Sequence, residues 1–258
     1  MQIIGCQMNI DWEAPGLNLR RADQLFSNTT VPSNSLLVLP EMFATGFSMN
    51  VGRIANAPQV PPFLSTLSSR YHSTLIAGYV GQAADGRGCN QALIYSPQGV
   101  RLGAYQKIHP FSFAGEDKVY EPGRSVQIFE LGEFRICPFI CYDLRFPEIF
   151  RTATLRGANT FVVIANWPAP RTEHWTALLR ARAIENQAFV IGLNRTGSDP
   201  KLEYSGRSVV FGPQGEVLCE LDNKEGILQA DLDIESVTRW RARFPALADI
   251  HHAFTPES

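Results

Sequence analysis

Three segments of this chain end in side chains that could act together in acyl chemistry. One apolar run stops at Cys141, and a polar turn with a proline follows it. Another apolar run leads through a proline to Glu41, and a predicted hairpin ends at Lys107. Because α/β enzymes keep their active sites at the edge of a sheet, these strand ends are candidate catalytic positions.

The three residue types match what amide hydrolysis requires. An unactivated amide needs a nucleophile, a proton carrier and a group that stabilises the developing oxyanion. A free cysteine has a pKa of about 8.5 and is weakly ionised at neutral pH. A lysine beside it favours the thiolate, and a carboxylate can take its proton. Glu41, Lys107 and Cys141 meet these needs if the fold brings them together.

The residues around these positions resemble the signature blocks of the nitrilase (carbon–nitrogen hydrolase) superfamily. The blocks are residues 39–43, 105–109 and 141–148, which occur in the family's order of Glu, Lys and Cys. The resemblance extends over nearly the whole chain. Residues 165–171 and 181–187 are similar to the omega-amidase branch, which hydrolyses the terminal amide of 2-oxo dicarboxylic acid monoamides.

The resemblance implies both a fold and a mechanism. The fold is α/β, a four-layer α-β-β-α sandwich of two mixed sheets flanked by helices, formed by residues 1–258 as a single domain. Glu41 is the general base, and the Lys107 ammonium and the backbone N–H of Tyr142 stabilise the oxyanion. The amide of 2-oxoglutaramate or 2-oxosuccinamate acylates Cys141 and releases ammonia, and water then hydrolyses the thioester. No metal or organic cofactor is expected.

Each catalytic candidate has a structural alternative. Free cysteines are among the most buried residues, so Cys141 could be a core thiol. Cys137, placed four residues earlier on the same predicted strand 134–141, shares its sheet face but lies deeper in the apolar run and suits core packing. Glu41 could cap a turn or pair with an arginine, and Lys107 could be a solvated strand end. The three blocks together favour the catalytic interpretation.

A fourth catalytic candidate rests on family spacing. Members of the family often carry a further glutamate five residues before the position of Glu121, and Glu116 fits that place. The resemblance implies that Glu116 holds Lys107 and helps to orient substrate. The alternative is a solvated acidic loop in which Asp117 and Glu121 are equivalent neighbours.

Three further residues are candidates for substrate binding. In the related carbamoylase branch, an arginine at the place of Arg145 binds the substrate carboxylate, and a bidentate contact would suit an acidic amide. The alternative is a structural ion pair. Trp167 and Phe43 could line the pocket, with plain core packing as the alternative.

Composition limits the other functions. The 258 residues are 45% hydrophobic, with a formal net charge of −2 and no basic block, which argues against nucleic acid or an anionic membrane as partner. The five cysteines form no disulfide framework and the first residues lack a basic signal-peptide region, so a cytoplasmic protein is expected. The expected partner is a small amide, and the resemblance suggests a homodimer or larger homo-oligomer. The competing functions are a deaminated-glutathione amidase, an N-carbamoyl amino acid amidohydrolase and a non-catalytic binding protein on the same scaffold.

Apolar spacing predicts an alternation of strands and helices interrupted by hairpins. A hairpin is predicted over residues 90–107 and a three-stranded meander over residues 208–231. The predicted helices cover residues 15–28, 63–71, 147–156, 173–186 and 234–243.

Overall fold

The computed structural model describes residues 1–251, which form two six-stranded mixed sheets and a separate short hairpin. The strands are β1 (Gln2–Gln7), β2 (Leu36–Leu39), β3 (Thr74–Gln82), β4 (Gly88–Tyr95), β5 (Arg101–Gln106), β6 (Phe129–Leu131), β7 (Phe134–Ile140), β8 (Thr160–Ala165), β9 (Phe189–Asn194), β10 (Thr196–Ser198), β11 (Glu203–Ser205), β12 (Val209–Phe211), β13 (Val217–Glu220) and β14 (Gly226–Asp231). The α-helices are α1 (Pro15–Ser27), α2 (Val51–Ile54), α3 (Val60–Arg70), α4 (Glu116–Val119), α5 (Pro147–Leu155), α6 (Thr172–Asn186) and α7 (Ile234–Arg243).

Each sheet has a parallel centre and antiparallel edges. The first sheet has the order β14-β1-β2-β3-β4-β5, and the second has the order β13-β12-β9-β8-β7-β6. Strands β1, β2 and β3 run parallel, as do β7, β8 and β9. The predicted α/β class with two mixed sheets is therefore confirmed, and so is the β4–β5 hairpin.

Strand β2 shows how the layers form. Its four residues are all fully buried, and they alternate between two cores. Leu36 and Val38 belong to the large core that joins the two sheets and also contains apolar residues of α5 and α6. Leu37 and Leu39 belong to a second core, which contains residues of α1 and α3. Because successive side chains of a strand point to opposite faces, a continuous apolar strand is what a sheet covered on both sides requires.

The structure corrects the predicted meander. Strands β12 and β13 do pair antiparallel, but β14 leaves them and pairs antiparallel with β1 in the other sheet. Alternating apolar residues predict that a strand exists, whereas its partner depends on which sheet edge remains open once the chain has folded. Strand β14 covers the edge that β1 would otherwise expose.

The same strand ends that carry the candidate residues converge at one side of the sandwich. Glu41 follows β2, Lys107 follows β5, Cys141 follows β7 and Asn166 follows β8. The first two belong to one sheet and the last two to the other, so the site lies where the two sheets meet.

Within residues 1–251, no helix has the length and apolar character needed to cross a membrane.

Candidate active site

A buried lysine joins two buried carboxylates at the centre of the site. Lys107 Nζ lies 2.9 Å from Glu41 Oε1 and 2.8 Å from Glu116 Oε2. The lysine side chain is 1% exposed and both glutamates are 0% exposed. Asn90 on β4 bridges the carboxylates, because its Nδ2 donates to Glu41 Oε1 at 2.8 Å and to Glu116 Oε1 at 2.9 Å.

Glu116, rather than its acidic neighbours, reaches this cluster. It is the first residue of α4, and the backbone N–H of Phe111 donates to its Oε2 at 2.5 Å. Asp117 is exposed to solvent, and Glu121 is half-buried with Arg87 at 3.8 Å. The structure therefore brings the residue chosen by family spacing to Lys107.

The surroundings push the pKa values of the two carboxyl groups in opposite directions. Burial by itself would raise the pKa of Glu41, but Lys107 and the hydrogen bonds from Asn90 and Asn166 outweigh it and hold that pKa below its ordinary value. Burial raises the pKa of Glu116, and the Glu41 charge adds to this rise. Burial opposes the charge on Lys107, yet both glutamates keep its pKa above the ordinary lysine value. When two neighbouring carboxyl groups have separated pKa values, the group with the lower pKa suits a proton acceptor, here Glu41, and the other group has a different role.

Cys141 lies in a sharp turn rather than on a strand. Strand β7 ends at Ile140, and Cys141 has a φ of +48°, a left-handed conformation that costs free energy in a non-glycine residue. The prediction that the strand continues through residue 141 is therefore wrong. Because Cys141 lies outside the strand, its side chain and that of Cys137 do not lie on the same face of β7. Cys137 is 0% exposed and belongs to the large core.

The surroundings of the Cys141 thiol disfavour its ionised form. Burial and then the charge of Glu41 raise its pKa well above the ordinary value, and Lys107 opposes this rise without cancelling it. A thiol of this kind needs a base at the moment of attack, because the thiolate is the reactive form.

Two cross-links between the sheets hold this arrangement, and sequence reasoning assigned neither. The backbone N–H of Asn166 donates to Glu41 Oε2 at 2.8 Å, and its side-chain Nδ2 donates to the Glu41 carbonyl oxygen at 2.8 Å. Asp143 is fully buried and accepts bonds from the Tyr105 hydroxyl at 2.7 Å and from the His109 backbone N–H at 2.9 Å. The only sequence signal was that all these residues belong to, or adjoin, the resemblance blocks.

A cavity of about 310 Å³ opens beside the thiol. Arg145 and Arg171 line it, and each guanidinium lies over an aromatic ring: Arg145 is 4.8 Å from the Trp167 ring centre, and Arg171 is 5.6 Å from that of Phe111. Within residues 1–251, neither arginine forms an ion pair with a carboxylate. The residues that line the cavity near the thiol include Cys141, Tyr142, Arg145, Asn166, Trp167 and Arg171.

The structure separates the two aromatic candidates. Trp167 lines the cavity, and its Nε1 donates to the Arg171 carbonyl oxygen at 2.7 Å. Phe43 is 0% exposed, belongs to the second core and contacts Phe63 at 6.2 Å between ring centres. The expectation that Phe43 lines the pocket is corrected: the chain turns after Pro40, so that Glu41 faces the site and Phe43 faces the core.

With this geometry in view, comparison with known proteins identifies the class. The carbon-nitrogen hydrolase family matches residues 5–242. The chain therefore belongs to the carbon–nitrogen hydrolase family. It is a carbon–nitrogen hydrolase that acts on amides.

Among its relatives, a 2-oxoglutaramate amidase of Bacillus subtilis (strain 168) is 34% identical over 251 residues, covering 96% of each chain. The omega-amidase YafV of Escherichia coli (strain K12) is 37% identical over 251 residues, again covering 96% of each chain. XC1258 of Xanthomonas campestris, a CN-hydrolase superfamily protein with an arsenic adduct in its active site, has a TM-score of 0.91 and 31% identity over 97% of both chains. An amidase of Nesterenkonia sp. AN1, carrying acrylamide added at its active-site cysteine, has a TM-score of 0.81 and 25% identity over 96% of this chain and 99% of that one.

Proposed function

We propose that this protein is an omega-amidase that hydrolyses the terminal amide of small 2-oxo dicarboxylic acid monoamides through a Cys141 acyl-enzyme. The observation that carries the proposal is the buried Glu41–Lys107–Glu116 cluster next to a cavity whose wall contains the Cys141 thiol and two arginines. The names of the relatives support the same substrate class.

The first half-reaction follows from the charges of the site. The Cys141 thiol gives its proton to Glu41, and the sulfur attacks the amide carbonyl carbon, so that a C–S bond forms and the carbonyl electron pair moves to oxygen. The Lys107 ammonium and the Tyr142 backbone N–H stabilise that oxyanion. The electron pair then returns, the C–N bond breaks, and Glu41 passes its proton to the nitrogen, which leaves as ammonia.

The second half-reaction repeats these roles with water. Glu41, again ionised, takes a proton from water as the water oxygen attacks the thioester carbon. The C–S bond breaks, the proton returns to the sulfur, and the acid is released. The lowered pKa of Glu41 favours its ionised form between the two steps, and Glu116 holds the Lys107 ammonium between the two carboxylates throughout.

Arg145 and Arg171 support an acidic substrate. A guanidinium without a carboxylate partner in a cavity wall can form two parallel hydrogen bonds to a substrate carboxylate. The cavity volume of about 310 Å³ lies at the small end of the range for ligand sites, about 300–1,000 Å³, which favours a short dicarboxylic monoamide over deaminated glutathione.

The test is a comparison of kcat/KM for ammonia release from 2-oxoglutaramate, its analogue without the carboxylate, deaminated glutathione and an N-carbamoyl amino acid. We expect 2-oxoglutaramate to be preferred and the carboxylate-free analogue to be rejected, because the half-buried guanidiniums of Arg145 and Arg171 would then gain no carboxylate partner. Preference for either of the last two would overturn the substrate assignment.

Assembly into a homo-oligomer and a cytoplasmic location stay predictions, and light scattering of the purified protein checks the first.

A further inference from the structure

The side-chain oxygen of Asn166 has no donor in the site. Asn166 follows β8, lines the cavity beside Cys141 and is 5% exposed. Within residues 1–251, its Oδ1 is buried and has no hydrogen-bond partner. A buried acceptor without a donor costs about 1–3 kcal/mol, so the arrangement is explained if a ligand supplies the donor.

The orientation of this amide is fixed by Glu41. Asn166 Nδ2 donates to the Glu41 carbonyl oxygen at 2.8 Å and to Glu41 Oε2 at 3.2 Å. A carbonyl oxygen and an ionised carboxylate can only accept, so the nitrogen of the Asn166 amide must face them. The oxygen therefore points away from Glu41.

We propose that Asn166 Oδ1 accepts an N–H of the scissile amide and thereby makes Asn166 a catalytic residue that selects for nitrogen leaving groups. The inference rests on the proposed acyl-enzyme function and names a further contact to its substrate. A primary amide carries two N–H donors, whereas an ester or a thioester carries none at the leaving atom.

The contact links substrate recognition to proton transfer. Asn166 holds Glu41 with its N–H groups and, in this proposal, holds the leaving nitrogen with its oxygen, so one residue contacts both the base and the leaving group. When the C–N bond breaks and Glu41 delivers its proton, ammonia departs with its other N–H bonds intact. The thioester that remains has no N–H, so the contact acts in acylation and is absent from deacylation.

The experiment compares 2-oxoglutaramate with the ω-methyl ester of 2-oxoglutarate in wild-type protein and in Asn166→Ala. If Asn166 only positioned Glu41, its removal would change the ratio of amide to ester kcat/KM no more than the loss of another Glu41 donor does. If its Oδ1 holds the amide N–H, amide hydrolysis falls by an additional factor of about 10 to 100 relative to ester hydrolysis.

Asn90→Ala is the matched control. Asn90 also donates to Glu41, at 2.8 Å, and its Oδ1 is likewise without a partner in residues 1–251, but it does not line the cavity. Its removal therefore measures how far a less well held Glu41 changes the ratio of amide to ester kcat/KM. An amide-to-ester ratio in Asn166→Ala equal to that in Asn90→Ala would overturn the inference while leaving the acyl-enzyme function in place, and Cys141→Ala tests that function separately.

A second measurement does not depend on the stability of the Asn166 variant. In a crystal structure of Cys141→Ala with 2-oxoglutaramate bound, we expect the amide nitrogen within about 3.2 Å of Asn166 Oδ1. An amide nitrogen with a different acceptor, and Asn166 Oδ1 farther than about 3.5 Å from it, would refute the contact.

Discussion

Glu41→Gln is expected to increase ionisation of the Cys141 thiol while nearly abolishing turnover. The Glu41 carboxylate accepts four hydrogen bonds, two on Oε1 from Asn90 and Lys107 and two on Oε2 from Asn166. Glutamine keeps only one of the two oxygens, so two of these donors lose their acceptor. At about 1–3 kcal/mol for each unsatisfied group, the variant loses about 2–6 kcal/mol of folding free energy, against a typical total of about 5–15 kcal/mol.

The two activities of the thiol respond in opposite directions. Loss of a general base lowers kcat by about 100- to 10,000-fold, which corresponds to about 3–5 kcal/mol of activation free energy. Burial and the Glu41 charge raise the pKa of Cys141, and the substitution removes that charge. The thiol pKa therefore falls in the variant, and more thiolate is present at any given pH below it.

The assay pairs ammonia release with the second-order rate of iodoacetamide alkylation, measured across pH, and thermal unfolding establishes that the variant is folded. Asp117→Asn, which removes an exposed carboxylate next to Glu116, is the control and should change neither rate. Alkylation of Glu41→Gln that is no faster than wild type at neutral pH would refute the electrostatic reasoning. Retained turnover would refute the role of Glu41 as base.

Three further predictions follow from the same contacts. Cys141→Ala should abolish ammonia release with the fold intact, whereas Cys137→Ala, a change in the core, should lower thermal stability and keep most activity per folded molecule. Tyr105→Phe removes a buried hydroxyl that donates to Asp143 at 2.7 Å, so urea unfolding should show a loss of about 1–3 kcal/mol together with a lower kcat. Because the pKa of Glu41 is lower in the folded protein than in the unfolded chain, its contacts stabilise the fold above the ordinary glutamate value of about 4.3, and this contribution is lost as pH falls through the folded value. Acid titration of stability should therefore be shallower in Glu41→Gln than in wild type, and equal slopes would contradict this linkage.

Local sequence was sufficient for the five longer helices and for most strands, whereas the four-residue helices α2 and α4 were not predicted. The apolar spacing of residues 234–243 predicted α7 with both of its observed ends, and the continuous apolar run before Pro40 predicted a strand buried on both faces. These features follow from residues close in the chain, since the period of the apolar residues and the position of prolines act within a few residues. The boundary of α3 was less well predicted, because Pro61 and Pro62 occupy its first turn, where proline is favourable, and it starts at Val60.

The sequence by itself determined which candidate residues follow strand ends, because short motifs and apolar runs record local constraints. The tertiary structure alone decided how they meet: Asn166 bonds to Glu41 across 125 residues, and Tyr105 bonds to Asp143 across 38. It also decided that β14 joins β1 and that Phe43 faces the core. No local pattern encodes such contacts, because each depends on how the two sheets pack against each other. Once they are packed, one buried carboxylate can accept hydrogen bonds from residues of both sheets.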